Sequence, residues 1–202
     1  WRQLQLDAPA RTAARLGDFR LEEGGFGKGA ALAGALALAR QLAPHAEVRL
    51  DLGGQLAWTG ARAPVAFSLA DPRNRGREVL EVVSPLGEGS VATSGESERR
   101  FEVGGRRFGH LLDPRTGEPA ADFGTASSIG PSPTLADCRS TALFVLGPDG
   151  ARAKIAGAAS QGDNVLLVVE GDRLRALVGP RLLDSVKALT EDVSIEVVPR
   201  SR

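Results

Sequence analysis

Apolar residues along this chain come in short bursts separated by glycine, proline and charged turns. Val48 to Leu52 alternates apolar and charged positions, and Gln55 to Trp58, Val65 to Leu69 and Val79 to Val83 are further short runs of strand character. Gln3 to Leu6 reads as a short strand, and Leu21 leads into the turn Gly24-Gly25-Phe26-Gly27-Lys28-Gly29. An alanine- and leucine-rich helix is predicted from about Lys28 to Leu42, stopped by Pro44. Turn residues make loops of Asp71 to Gly76 and Pro85 to Gly89. Two strands, Phe101 to Val103 and Arg107 to Leu112, are joined by the hairpin signal Gly104-Gly105, and Asp113-Pro114-Arg115-Thr116-Gly117 breaks the second. Pro133 and Thr134 open a helix that runs to about Leu146 and stops at Gly147-Pro148, and a second covers Ala151 to Ala159. Strands over Val165 to Val169, Leu174 to Leu177 and Val193 to Val198 follow, with a short helix near Pro180 to Leu189. Strands joined mainly by hairpins favour an α+β fold over a parallel α/β one.

Composition narrows the class. With 202 residues, 42% of them hydrophobic, the chain can fill a sizeable core. Lys+Arg and Asp+Glu are 25 each, so no net field draws it to nucleic acid or anionic lipid, and Trp1 and Trp58 read as packing residues. The longest apolar stretch, Ala30 to Ala39, is too short to span a bilayer. One cysteine, Cys138, and two separated histidines, His45 and His110, make a zinc cage unlikely on ligand count. Cys138 reads as a small buried helix residue and His45 as a linker residue. The arginines at 99, 100, 106 and 107 read as solvated strand faces or a turn rim.

Three segments carry candidate chemistry. The turn Gly24 to Gly29 fails both the Walker and the dinucleotide patterns, because Gly29 follows Lys28 and Ala30 stands where a last glycine is required. Its glycines, the amides of the following helix and the Lys28 charge suit a phosphate, although a plain tight turn into a helix explains them equally. Asp137, Ser140 and Thr141 fall at i, i+3 and i+4 of one helix, a carboxylate and two hydroxyls on one face. Such hard oxygens suit magnesium when a phosphate completes the shell; a solvated first helical turn is the alternative. His110, at the end of a strand, can face a cleft or serve as a structural histidine.

The order of these segments closely resembles one family. Leu21-Glu22-Glu23-Gly24-Gly25-Phe26-Gly27-Lys28-Gly29, Leu50-Asp51-Leu52-Gly53-Gly54 with Gly60, Ala92-Thr93-Ser94-Gly95, His110 to Pro119, and Ala136-Asp137 with Thr141 to Gly147 follow one another as in the FAD:protein FMN transferases of the ApbE type. The match is dense from Leu21 to about Gly147 and loose beyond. The resemblance implies an ApbE-like (T-fold-like) α+β domain, a mostly antiparallel sheet with packed helices, over residues 1–202. It also implies that the usual N-terminal segment of the family is lacking. FAD and magnesium would be bound, and FMN transferred to a threonine hydroxyl of an acceptor protein with release of AMP. Hydrolysis of FAD to FMN and AMP, and a non-catalytic flavin- or protein-binding relative, are the alternatives.

By resemblance, magnesium is held by Asp137, Thr141 and the Gly27 carbonyl, with Ser140 where some members carry a further ligand. Gly24, Gly25, Lys28, Thr93, Ser94, Gly95, His110 and Leu111 would contact the flavin nucleotide. His110 would be the base for the acceptor hydroxyl, and Asp137 the second catalytic residue through the metal. A periplasmic or membrane-associated bacterial setting is the family expectation. The chain departs from the family at Glu22 and Ala33, where aspartates are usual, and at Ser97, where tyrosine is usual.

Overall fold

A computed structural model describes residues 3–19, 22–96, 100–157 and 163–200. Trp1, Leu21, Ser97, Arg99 and the Ala158-Ala159 end of the second predicted helix lie outside the described residues, as do the side chains of Arg100, Arg106 and Arg107.

In chain order the elements are β1 (Leu4–Asp7), β2 (Thr12–Arg15), α1 (Gly27–Leu42), β3 (Val48–Leu52), β4 (Gln55–Thr59), β5 (Val65–Asp71), β6 (Asn74–Ser84) and β7 (Gly89–Gly95). They continue as β8 (Arg100–Val103), β9 (Arg106–Gly109), β10 (Gly124–Gly130), α2 (Pro133–Ala156), β11 (Asp163–Glu170), β12 (Arg173–Val178), a short 3-10 helix over Pro180–Ser185, β13 (Val186–Ala188) and β14 (Val193–Val197). A seven-stranded sheet runs β14-β12-β11-β10-β7-β4-β3, a three-stranded sheet runs β13-β6-β5, and β1-β2 and β8-β9 are separate hairpins. All pairings are antiparallel except β12 with β14, so the mostly antiparallel α+β expectation holds.

The seven-stranded sheet is the middle layer. Along β11, Val165 and Leu167 point into a core shared with Trp58, Phe67, Val79, Leu80 and Val82, between the two sheets. Leu166 and Val168 point the other way, against Leu143, Phe144, Ala151 and Ile155 of α2. A strand buried on both faces reads as a continuous apolar run, which is why β11 is plain in the sequence. β7 and β10 have the opposite composition. Every residue of β10, GTASSIG, is buried, yet glycine, alanine and hydroxyl residues give no strand signal. Both strands were absent from the predicted elements. Small side chains there let α2 lie close against the sheet.

Other differences are local. The predicted loop Asp71 to Gly76 is a tight hairpin, with β6 already under way at Asn74. The predicted helix near Pro180 to Leu189 is a short 3-10 helix over Pro180–Ser185 followed by β13, which leaves for the other sheet and pairs with β6. Gly147, at φ 71°, breaks α2 ahead of Pro148, where the predicted stop lies, and the chain resumes the helix beyond it. Gly104 and Gly105 both take positive φ, as a two-residue hairpin requires.

Candidate functional site

α1 and α2 cross at their N-terminal ends, and a glycine makes the crossing possible. A Cβ on Gly29 would collide with the Pro133 carbonyl and stand 2.7 Å from Thr134 Cα. The closeness puts the first turn of α1 within reach of α2: the Gly29 amide donates to Asp137 Oδ2 at 2.9 Å. That amide is one of the first-turn donors that no helical carbonyl can satisfy. Asp137 is only 3% exposed, and among the described residues no lysine or arginine pairs with it. A carboxylate held under cover without a cation favours a positively charged occupant of the adjoining space.

That space is a cavity of about 320 Å³, lined by residues from seven separate stretches of chain, five of which carry the predicted groups. Gly24 comes from the turn before α1 and Lys28 from its first turn, Gly53 and Gly54 from the β3–β4 turn, Thr93, Ser94 and Gly95 from β7, His110 and Leu111 from the segment after β9, and Asp137 and Thr141 from α2. Gly53, at φ 58°, lies beside the Lys28 stem, 3.8 Å from its Cδ to a notional Cβ. The predicted residues outside the lining sit just behind it. Gly25 packs against Thr141, with 3.7 Å from a notional Cβ to Thr141 Cγ2. Gly27 is the first residue of α1, and its amide donates to the Glu23 carbonyl. Ser140 is fully buried, and its hydroxyl bonds Ser94 Oγ at 2.9 Å and the Asp137 carbonyl at 3.0 Å. Thr141 Oγ1 is 3.1 Å from Ser94 Oγ and 3.2 Å from the same carbonyl. Thr93 Oγ1 is held by Ser127 Oγ at 2.8 Å.

Cys138 corrects its sequence reading: it is exposed, because Asp137 and Ser140 take the inward face of α2 and the next position turns away. Partial burial of its sulfur and the nearby Asp137 carboxylate hold the thiol above its ordinary value. Ala33 is half-buried on α1, and Glu22 accepts a hydrogen bond from the Gly24 amide at 3.3 Å.

The lining also carries ionisable groups to which sequence reasoning gave no role in the site: Asp51, Asp71, Arg75 and Glu78. Asp51 Oδ1 accepts the Gly54 amide at 2.9 Å and so ties down the β3–β4 turn. Asp71 takes Arg73 Nη2 and Arg77 Nη1, each at 2.9 Å, and Arg77 continues to Asp192. The Arg73 hydrogen bonds hold the Asp71 carboxyl below its usual range, and Arg77 does the same to Asp192. Asp71-Pro72 at a hairpin tip was the available signal, but it reads as a turn. Beyond the cavity mouth Asp113 is likewise held down by Arg115.

No three His, Cys, Asp or Glu side chains cluster among the described residues, so a metal here would rest on one carboxylate, neighbouring hydroxyls and oxygens from its ligand. Buried Asp137 without a cation, and Thr141 beside it on the same wall, fit a hard divalent ion.

The model of the ApbE family matches residues 1–165. The chain belongs to the ApbE family. It is 34% identical over 146 residues, 72% of its length, to a Treponema pallidum FAD:protein FMN transferase, and covers 37% of that protein. A Rhodobacter capsulatus FAD:protein FMN transferase is 30% identical over 188 residues, 91% of this chain and 30% of that one. The crystal structure of the ApbE protein of Thermotoga maritima superposes with a TM-score of 0.73 at 28% identity, over 83% of this chain and 54% of that one. The Vibrio cholerae flavin transferase ApbE shares the fold, with a TM-score of 0.69 at 19% identity. This ApbE-family chain thus spans about a third of the length of the curated relatives it matches.

Proposed function

We propose that this ApbE-family chain carries the catalytic face of an FAD:protein FMN transferase, which moves FMN from FAD to a threonine hydroxyl of an acceptor protein and releases AMP. One observation carries the reading: the glycine-lysine turn, the Thr93-Ser94-Gly95 strand end, His110 and the Asp137/Thr141 pair, far apart in sequence, line one cavity. The names of its relatives, FAD:protein FMN transferase, support the same reaction.

In this reading Lys28 and the glycines around it receive the pyrophosphate, since close backbone approach and a positive charge suit a diphosphate. Thr93, Ser94, Gly95 and Leu111 border the nucleotide. Asp137 and Thr141, joined by the Gly27 carbonyl that family resemblance adds, would hold magnesium, which when bound would neutralise charge developing on the pyrophosphate oxygens. His110, exposed at the cavity edge, accepts the proton of the acceptor threonine. The threonine oxygen bonds to the FMN phosphorus, the bond from that phosphorus to the AMP oxygen breaks, and AMP leaves with the electron pair.

The test is incubation with FAD, magnesium and a threonine-bearing acceptor, followed by intact mass. The expected result is an FMN-sized gain on the acceptor together with AMP in solution. FMN and AMP formed without an acceptor adduct would make the activity FAD hydrolysis, and FAD left intact would make the chain a non-catalytic relative.

A further inference from the structure

Three hydroxyls, Ser94 and Thr141 in the cavity wall and Ser140 behind it, have more contacts than protons. Ser94 Oγ lies 2.9 Å from Ser140 Oγ and 3.1 Å from Thr141 Oγ1, and those two oxygens lie 3.0 Å and 3.2 Å from the Asp137 carbonyl. Each hydroxyl has one proton to donate, so three of these four contacts can be hydrogen bonds at once. Two arrangements run head to tail through all three hydroxyls. In one, Ser140 donates to Ser94, Ser94 to Thr141, and Thr141 to the carbonyl, so that the Ser94 proton occupies a lone pair of Thr141. In the other, Thr141 donates to Ser94, Ser94 to Ser140, and Ser140 to the carbonyl. The second leaves only the longest contact, 3.2 Å, without a proton, and it leaves both Thr141 lone pairs free for the cavity.

We propose that Ser94 is a positioning residue: it accepts the Thr141 proton and hands a hydrogen bond on to Ser140 and the Asp137 carbonyl, so that Thr141 presents its lone pairs to a divalent cation. Ser140, fully buried and absent from the cavity lining, is the far end of this relay and not a ligand. The inference rests on the reading of Asp137 and Thr141 as cation-holding groups. It gives Ser94, a lining residue, the further role of orienting a ligand, the role by which outer-shell partners set metal affinity about 10- to 100-fold.

Mn²⁺ serves as the probe. Loss of the free Mn²⁺ electron paramagnetic resonance signal on titration gives the dissociation constant without FAD, acceptor or turnover. Ser94→Ala is expected to raise that constant by about 10-fold or more, while Ser94→Thr, which keeps the hydroxyl, stays near wild type. Ser140→Ala removes the acceptor for the Ser94 proton, turns that proton back onto Thr141, and weakens binding in the same direction by several-fold. Thermal melting without metal separates this from unfolding, and Ser140→Ala tests the relay alone if Ser94→Ala does not fold. Wild-type Mn²⁺ affinity in Ser94→Ala or Ser140→Ala, with Asp137→Ala and Thr141→Ala both defective, overturns the relay and leaves the cation site standing. No Mn²⁺ binding by the wild-type protein overturns the cation site and the relay together.

Discussion

Two buried aspartates face the same cavity, Asp71 and Asp137, each 3% exposed, and their surroundings differ in kind. Asp71 has two guanidinium groups within 2.9 Å, which use its oxygens and pin the β5–β6 hairpin to the Asp192 loop. Asp137 has a single backbone amide and no described cation. A paired carboxylate is complete in the folded protein and holds chain segments together. An incompletely paired one retains acceptor capacity for a ligand, and the fold maintains it by packing. Burial alone therefore does not distinguish a structural acid from a binding acid; the count of cationic partners does.

The largest effect that would break this contrast is on chemistry. Asp137→Ala should lower FMN transfer by at least about 100-fold, read by mass spectrometry of the acceptor, because it removes the only carboxylate of the cation set. The folded protein should remain, since a charge without a cation partner is lost. Gly29→Ala comes next. Its methyl has backbone on the far side, so α1 must shift away from α2, at a cost of about 2–3 kcal/mol in urea unfolding. The same shift pulls the amide off Asp137, and Mn²⁺ affinity should fall with it.

Asp71→Ala should behave oppositely, costing about 2 kcal/mol of stability by removing the buried carboxylate that Arg73 and Arg77 share and leaving them Asp192 alone, with Mn²⁺ affinity unchanged. Acid should act through the same pair. Asp71 and Asp192 have folded pKa values below the ordinary 3.8, so their contribution is full above about pH 4 and is lost as pH falls further. Melting temperature followed from pH 6 to pH 2.5 should drop along that limb in the wild type, and less steeply in Asp71→Ala. The smallest effect is Arg73→Ala, below about 1 kcal/mol, because Arg73 is partly solvated and Arg77 still holds the carboxylate. A larger loss would show that Arg73, and not the doubled pairing, is what secures Asp71.

Legibility in the sequence followed the same division between apolar packing and polar closeness. Runs such as Val165 to Val169 announce strands because both faces meet apolar layers. β7 and β10 carry the wall beside α2, and the small residues that allow that approach, among them Gly95, Ala126 and Ser127, carry no strand signal. The strands nearest the site were thus the hardest to read, although their residues Thr93, Ser94 and Gly95 stand out as a motif. Asp137 and Thr141 were visible as a spacing on one helix. The Gly29 amide that supports Asp137 was not, because a contact across 108 residues of chain leaves no local pattern. Asp71 was hidden for a related reason: Asp-Pro at a hairpin tip is ordinary turn chemistry, and the Asp192 that shares its arginines lies far along the chain.

The route of the chain after β12 bears on how the molecule is made. β13 completes the sheet begun by β5 and β6, and β14 then returns to lie parallel to β12 at the edge of the other sheet. Both pairings need residues from the last part of the chain to be synthesised. Until those residues emerge from the ribosome, the apolar side of the β5–β6 hairpin, with Phe67, Val79 and Val82, lacks its third strand, and closing the layer waits on contacts of long sequence separation. A nascent chain stalled before Val186 should accordingly be the form that chaperones and proteases recognise, well after every residue of the cavity wall has been made.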